Sequence, residues 1–174
     1  MTDAVSRLPV RQTMFFGHSL GAMLGFEVAR QLRARGERLP DQLVLSSRGA
    51  PHMTDPRPPI HHLSDAAFIA AMSDRYGGIP EIILREPELM ALFLPALRAD
   101  MTLHEQYQCR PEPALPVPIA AWCGRSDPGI PPVAMERWEA ETSAAFTTRW
   151  FDGGHFYLQP SQGAVLSGLA ALIR

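Results

Sequence analysis

Apolar positions along the chain follow two alternating textures. Short runs dense in apolar residues stand at Gln12–Phe16, Gln42–Ser46, Ile119–Cys123 and Thr147–Phe151; each reads as a strand. After the first run, Leu20, Met23, Leu24, Val28 and Leu32 recur at helical spacing. Gly36, behind arginines 30, 33 and 35, marks the C-terminal end of that helix. Further helices are predicted from Pro131 or Pro132 to Ser143 and from Ser161 to Ile173. Strands that alternate with helices are the signature of parallel βαβ construction, so the predicted class is α/β with a mostly parallel sheet.

Residues 60–110 interrupt this texture with helical patterning alone. The predicted pieces are Ser64–Tyr76, stopped by Gly77-Gly78, a short helical turn after Pro80, and Pro87–Gln108, which Pro95 is expected to kink or break. Proline makes up 17 of 174 residues, about twice the usual ~5%, and its clusters bound this segment. Pro51, Pro56, Pro58 and Pro59 precede it, Pro111, Pro113, Pro116 and Pro118 follow it, and Pro128, Pro131 and Pro132 form a third group. The segment therefore reads as a helical insert within a single domain spanning residues 1–174. Its apolar residues, Phe68, Ile69, Met72, Leu89, Leu92, Phe93, Leu97, Met101 and Leu103, exceed what one helix face needs against a sheet. They are packing residues on one reading and the lining of a cavity on the other.

Composition narrows the functional classes. The chain is 46% hydrophobic and carries 16 basic against 18 acidic side chains, a net charge of −2. That suits one folded domain with its own core, and the absence of any basic run leaves nucleic-acid binding without support. No apolar stretch approaches the ~20 residues of a membrane span, and residues 1–20 lack a signal-peptide pattern, so the expected compartment is the cytoplasm. Cys109 and Cys123 have neither metal-ligand nor disulfide spacing and read as small buried residues.

The chemistry-bearing signal is Gly17-His18-Ser19-Leu20-Gly21, a G-x-S-x-G pattern. At usual residue frequencies chance supplies it in roughly one chain in twenty of this length, so its context decides. It lies between a predicted strand and an amphipathic helix, where a nucleophile elbow holds its serine exposed on a sharp turn. Ser19 would be the nucleophile, and the N–H of Leu20, at the helix start, an oxyanion donor. The competing reading is a helix-capping serine between glycines needed for close packing.

A serine nucleophile needs a base and an orienting carboxylate, in the chain order Ser, acid, His. His155, in Phe151-Asp152-Gly153-Gly154-His155, follows the last predicted strand on a glycine-rich loop and fits best. His18 is locked inside the elbow, His52, His61 and His62 lie in the proline-rich exit from the second strand, and His104 reads as an ordinary helix-face residue of the insert. For the acid, Asp127 in Gly124-Arg125-Ser126-Asp127-Pro128 follows the third strand, with a plain Asp-Pro turn as the alternative. Asp152 is too close in sequence to the histidine it would orient, and Asp100 sits in the insert.

These segments, with Leu45-Ser46-Ser47-Arg48-Gly49-Ala50-Pro51, Phe93-Leu94-Pro95-Ala96-Leu97-Arg98-Ala99-Asp100 and the closing Phe156, resemble the type II thioesterases that accompany polyketide synthases and nonribosomal peptide synthetases. The resemblance spans almost the whole chain. It implies an α/β-hydrolase fold with residues 60–110 as a lid, and hydrolysis of stalled or mis-primed acyl groups from the phosphopantetheine thioester of carrier proteins. Ser19 would attack the thioester carbonyl, and His155 would take and return the proton. No bound cofactor is implied, since the pantetheine arm belongs to the partner carrier protein; arginines 75, 85, 98 and 110 are candidates for meeting its acidic surface. A monomer is the simplest expectation.

One departure stands out. Family members have strands and a loop upstream of the nucleophile strand that supply a second oxyanion donor, whereas only residues 1–11 precede it here. The expectation is a C-terminal part of a longer protein, with a Gly-rich oxyanion segment encoded upstream. Two rivals remain: a small-molecule carboxylesterase with the same triad, and an inactive remnant that only binds a carrier protein.

Overall fold

Strands β1 (Met14–His18), β2 (Gln42–Ser46), β3 (Ile119–Gly124) and β4 (Phe146–Phe151) form one fully parallel sheet in the order β1-β2-β3-β4. The computed structural model describes residues 2–6, 11–53, 55–77 and 81–173. Simple alternation in the sequence assigns the two faces of the sheet. Leu43, Leu45, Ile119, Ala121 and Cys123 point into one core, packed by Ala22, Phe26 and Ala29 of α2 (Leu20–Ala34) and by Met135 and Trp138. Val44, Ala120 and Trp122 point into the other, which is closed by Tyr157 and by Val165 of α7 (Gln162–Leu172). Both faces of β2 and β3 are covered, as a parallel sheet requires, and this is why those strands read as near-continuous apolar runs.

Several boundaries differ from the sequence reading. β1 starts at Met14 because Thr13 is held by the loop before β2: its N–H donates to Asp41 Oδ2 at 2.7 Å and its carbonyl accepts from the Asp41 N–H at 2.8 Å. Gly36 does end α2, at φ +64, with the Glu37 N–H closing on the Leu32 carbonyl. The helix expected over 131–143 is α6 (Pro132–Glu136) tightened into a 3-10 turn (Arg137–Glu141). Trp138 is drawn into the core there, edge-on to Phe26, and its indole N–H donates to the Arg48 carbonyl at 2.7 Å. A short helix absent from the sequence reading, α1 (Thr2–Ser6), lies on α2, where Thr2 Oγ1 donates to Gln31 Oε1 and Arg35 pairs with Asp3.

The insert comprises α3 (Asp65–Tyr76), α4 (Glu81–Arg85) and α5 (Pro87–Gln106). Gly77 closes α3 at φ +61; Gly78 and Pro80 lie outside the described residues. Pro95 does not break α5, which continues through it; both Pro95 and Ala91, whose carbonyl loses its helical partner, are exposed residues. Ile60, Phe68, Tyr76 and Met101, with Met72 and Leu97, form a separate small core. Leu89, Leu92, Phe93 and Leu103 are exposed. Arg98 and Arg75 do not stand free for a partner surface: Arg98 donates to the carbonyls of His61 and Leu63 and pairs with Asp65, while Arg75 donates to the Pro58 carbonyl. No helix among the described residues is long and apolar enough to cross a membrane.

Two glycines give opposite expectations. A Cβ on Gly124 would lie 2.2 Å from the carbonyl oxygen of Gly154, against backbone that cannot yield cheaply, whereas a Cβ on Gly25, within α2, would meet nothing within 4 Å. Gly124→Ala is expected to lose about 1–3 kcal/mol by overpacking, and Gly25→Ala to gain about 0.5–1 kcal/mol. Urea unfolding midpoints of the two variants, moving in opposite directions, check this.

Candidate active site

The G-x-S-x-G segment occupies the turn between β1 and α2. Ser19 takes φ 54 and ψ −116, a conformation L-residues avoid, and its N–H donates to the Ser46 carbonyl at 2.7 Å. The turn is possible because Gly17 has no side chain: a Cβ there would sit 2.2 Å from the carbonyl oxygen of Gly21. Although Ser19 stands at the N-cap position, its side chain makes no capping hydrogen bond; the residue lines a cavity of about 790 Å³. The capping reading of this serine therefore fails. Leu20 opens α2, so its N–H is among the helix's unpaired donors, at the positive end of the helix dipole.

Asp127 and His155 come together because β3 and β4 are parallel neighbours whose C-terminal ends, Gly124 and Phe151, are in register. Their following loops lie side by side, joined by the Arg125 N–H to the Phe151 carbonyl and the Ser126 N–H to the Gly153 carbonyl. Gly153 turns the second loop at φ +122. His155 Nδ1 donates to Asp127 Oδ2 at 2.8 Å, and both residues are buried. An ionised carboxylate can only accept, so this bond assigns the proton to Nδ1 and leaves Nε2 as the lone-pair nitrogen. Burial pushes the Asp127 carboxyl up, but the His155 hydrogen bond and charge, the Gly129 N–H and the Ser47 side chain together hold it below its ordinary value.

Ser19 and His155 line the same cavity. No direct hydrogen bond joins them among the described residues, and such bonds commonly tighten only when substrate is present. Behind His155, the His18 ring lies 5.1 Å away between centroids, bound through Nδ1 to Ser46 Oγ at 2.8 Å, which in turn meets the Tyr157 hydroxyl at 2.7 Å. The remaining candidates lie elsewhere. Asp152 is solvent-exposed beside Arg125, Asp100 is exposed on α5, and His61 pairs with Glu105. Cys123 is buried as expected; Cys109 is only partly so and lines the cavity. Among the described residues no group of three or more His, Cys, Asp or Glu side chains is gathered to hold a metal.

The insert contributes to the cavity, but through other residues than the apolar ones singled out. Its lining there includes Arg75, Tyr76, His104, Glu105 and Tyr107, because the apolar residues are spent on the insert's own core or on solvent-facing positions. His104 is no ordinary surface residue of α5. It meets Arg48, the residue two beyond the end of β2, whose Nη1 lies 2.9 Å from His104 Nε2 and also contacts Nδ1. Helical periodicity cannot reveal such a pairing, since the two residues are far apart in sequence; the one available signal was that Arg48 follows a strand end, where parallel sheets place their ligand-binding residues.

Burial, then the neighbouring His155, lowers His18 to about 4, and burial, then the Arg48 charge, lowers His104 to about 4. In the unfolded chain both return to ~6.5, so between these values the unfolded state binds more protons. The stability they contribute is complete above ~6.5 and is lost as pH falls towards 4. Urea midpoints measured at steps from pH 7.5 to 4.5 are expected to fall across that window, and His104→Gln to make the fall shallower.

Residues 12–173 match the thioesterase domain family. Thioesterase PikA5 of Streptomyces venezuelae is 43% identical over 83% of this chain and 50% of its own length. The gramicidin S biosynthesis protein GrsT of Aneurinibacillus migulanus is 33% identical over 92% of this chain and 62% of its own. Among solved structures, RedJ, a thioesterase of the prodiginine pathway in Streptomyces coelicolor, superimposes with a TM-score of 0.86 at 35% identity, covering 98% of this chain and 65% of that one. The chain thus spans half to just under two thirds of the length of these curated relatives. On the sheet order, the elbow and this match, the chain belongs to the thioesterase domain family and carries its α/β-hydrolase-like fold.

Proposed function

We propose that this chain is a serine hydrolase that removes acyl groups held as thioesters on the phosphopantetheine arm of carrier proteins in polyketide or nonribosomal peptide synthesis. The observation that carries the reading is the buried 2.8 Å His155–Asp127 pair opening onto the cavity that Ser19 lines with its elbow conformation. In the proposed sequence His155 Nε2 takes the Ser19 hydroxyl proton as Oγ adds to the thioester carbonyl, and the Leu20 N–H stabilises the oxyanion. Collapse breaks the C–S bond, and His155 returns its proton to the departing thiolate. Water, deprotonated by the same nitrogen, then cleaves the acyl-serine. Asp127 holds the Nδ1–H tautomer and stabilises the imidazolium without taking its proton. Residues 60–110 serve as the lid over the acyl chamber, and the pantetheine arm arrives with the carrier, so the chain needs no cofactor of its own. The expected setting is the cytoplasm, with the protein acting as a monomer.

Relatives bearing thioesterase names, including BorB, a type II thioesterase from the borrelidin cluster at 34% identity and a TM-score of 0.81, support the reading. The test is turnover of acyl-pantetheine and acyl-carrier substrates together with labelling by a serine-directed fluorophosphonate. Ser19→Ala is expected to lower turnover at least about 10³-fold and abolish labelling, and Asp127→Asn to lower turnover about 10⁴-fold by spoiling the tautomer. Equal rates for wild type and Ser19→Ala would remove Ser19 from the mechanism. Strong preference for oxygen esters, with indifference to the carrier, would identify a carboxylesterase instead, and a folded, unlabelled protein that still binds a carrier would be an inactive remnant.

A further inference from the structure

Among the described residues that line the cavity, Arg48 is the arginine with no carboxylate in ion-pair contact. Asp55 answers Arg57, accepting from Nε at 2.9 and 3.0 Å and from Nη2 at 2.6 Å. Glu105 lies 3.7 Å from Arg75 and accepts further bonds from the backbone N–H groups of Ile60 and His61. Arg48 has no carboxylate partner among the described residues. Its Nη1 lies against the His104 ring, its Nη2 is 3.9 Å from Met23 Sδ, and its guanidinium carbon is 6.0 Å from the centre of the Tyr107 ring. His104 is neutral in this setting, so none of these contacts supplies negative charge.

Arg30, which is buried where Arg48 is half-buried, shows what this fold does when a guanidinium is only structural. It pairs with Glu27 at 2.8 Å and Glu112 at 2.9 Å and donates to the Arg110 carbonyl. Buried cations are normally compensated in that way, because an uncompensated one loses hydration without return. Tyr76 adds an independent sign: its hydroxyl is buried with no hydrogen-bond partner, and its ring lies 5.0 Å from that of His155. The cavity wall thus offers a guanidinium with no carboxylate in ion-pair contact and a hydroxyl with no hydrogen-bond partner. Met23 stands one helical turn from the elbow, so the Arg48 guanidinium is held against the first turn of the helix that follows Ser19.

We infer that Arg48, assisted by the Tyr76 hydroxyl, is a receptor for an oxyanionic group on the thioester substrate, a carboxylate at the far end of a short acyl chain or the phosphate of the pantetheine arm. This deepens the thioesterase reading and rests on it for the identity of the ligand. Charge-assisted hydrogen bonds from a planar guanidinium suit either oxyanion, and the half-buried setting of Arg48, with no carboxylate in ion-pair contact, strengthens them.

Binding separates this inference from the catalytic one. Amide analogues, which are not hydrolysed, are prepared as propionyl and succinyl forms of pantetheine, each with and without the 4′-phosphate, and titrated calorimetrically into the Ser19→Ala chain. With Arg48 intact, affinity is expected to rise about 10- to 100-fold on adding one of the two anionic groups. A gain that follows the succinyl carboxylate assigns the site to the acyl end, and a gain that follows the phosphate assigns it to the arm. Arg48→Gln should collapse that gain to within about threefold, and Arg48→Lys, which keeps the charge without the fork, should retain part of it. Equal affinity for all four analogues, or a gain that survives Arg48→Gln, overturns the inference. Because no turnover is read, failure of the thioesterase reading appears separately, as absent fluorophosphonate labelling in wild type.

Discussion

Ser19 is held in a backbone conformation that costs on the order of 1–3 kcal/mol, and the geometry of the whole site follows from what sustains it. The last rungs of the β1–β2 ladder pair Gly17 with Leu45 and His18 with Ser46, and the Ser19 N–H extends the pairing to the Ser46 carbonyl. From the other side, α2 is anchored by Ala22, Phe26 and Ala29, all at 0–1% exposure in the main core. A strand and a helix fixed independently leave a gap that only a sharp turn can span, and the bare Gly17 lets the Gly21 backbone close it. Sheet register, rather than any contact of the serine side chain, therefore sets where the hydroxyl points.

The same logic repeats at the far edge of the sheet. Gly124 ends β3 under the Gly153-Gly154 backbone, so the loop carrying His155 rests directly on the strand that leads to Asp127. A glycine contact thus brings the two loops together, and the Gly129 N–H at 3.0 Å and the Ser47 side chain further hold Asp127. Between them, Ser47 at φ 46 and Arg48 leave the top of β2 and face the cavity. All the polar cavity residues supplied by the sheet thus emerge at its C-terminal edge, where parallel strands expose unpaired backbone and loop ends.

This architecture explains which parts could be read from the sequence alone. The strands were readable because burial on both faces forces apolar runs; the elbow, the Asp127 turn and the His155 loop were readable because glycine and proline punctuate them within a few residues. The exact bounds of β1 and α6 were not, since Asp41 and Trp138 act on them through contacts distant in sequence. The apolar surplus of the insert was visible, but its division was not. Periodicity counts faces without saying which face meets a neighbour, and here Phe68 and Met101 pack inward while Leu92 and Phe93 face outward. That α5 runs on through Pro95 instead of breaking there was unreadable for a related reason: whether neighbouring structure carries a helix past a proline is not recorded in any local pattern.

Charge was the least readable quantity of all. A net charge of −2 spread over 174 residues suggests no preference for any ligand, yet the distribution is uneven once partners are assigned. Glu27 and Glu112 are committed to Arg30, Asp55 to Arg57, and Glu105 to the Ile60–His61 backbone and Arg75. None of these carboxylates is in ion-pair contact with Arg48, although the Asp55 charge still reaches it, and His104, which meets it, is kept uncharged by burial and by Arg48 itself. A concave wall with weakly screened charge concentrates its field on what enters it. The local sign of the cavity is thus the residue of pairings made by four different segments of the chain, the α2 helix, the proline-rich exit from β2, the insert and the proline-rich stretch that follows it, and it exists only in the folded protein.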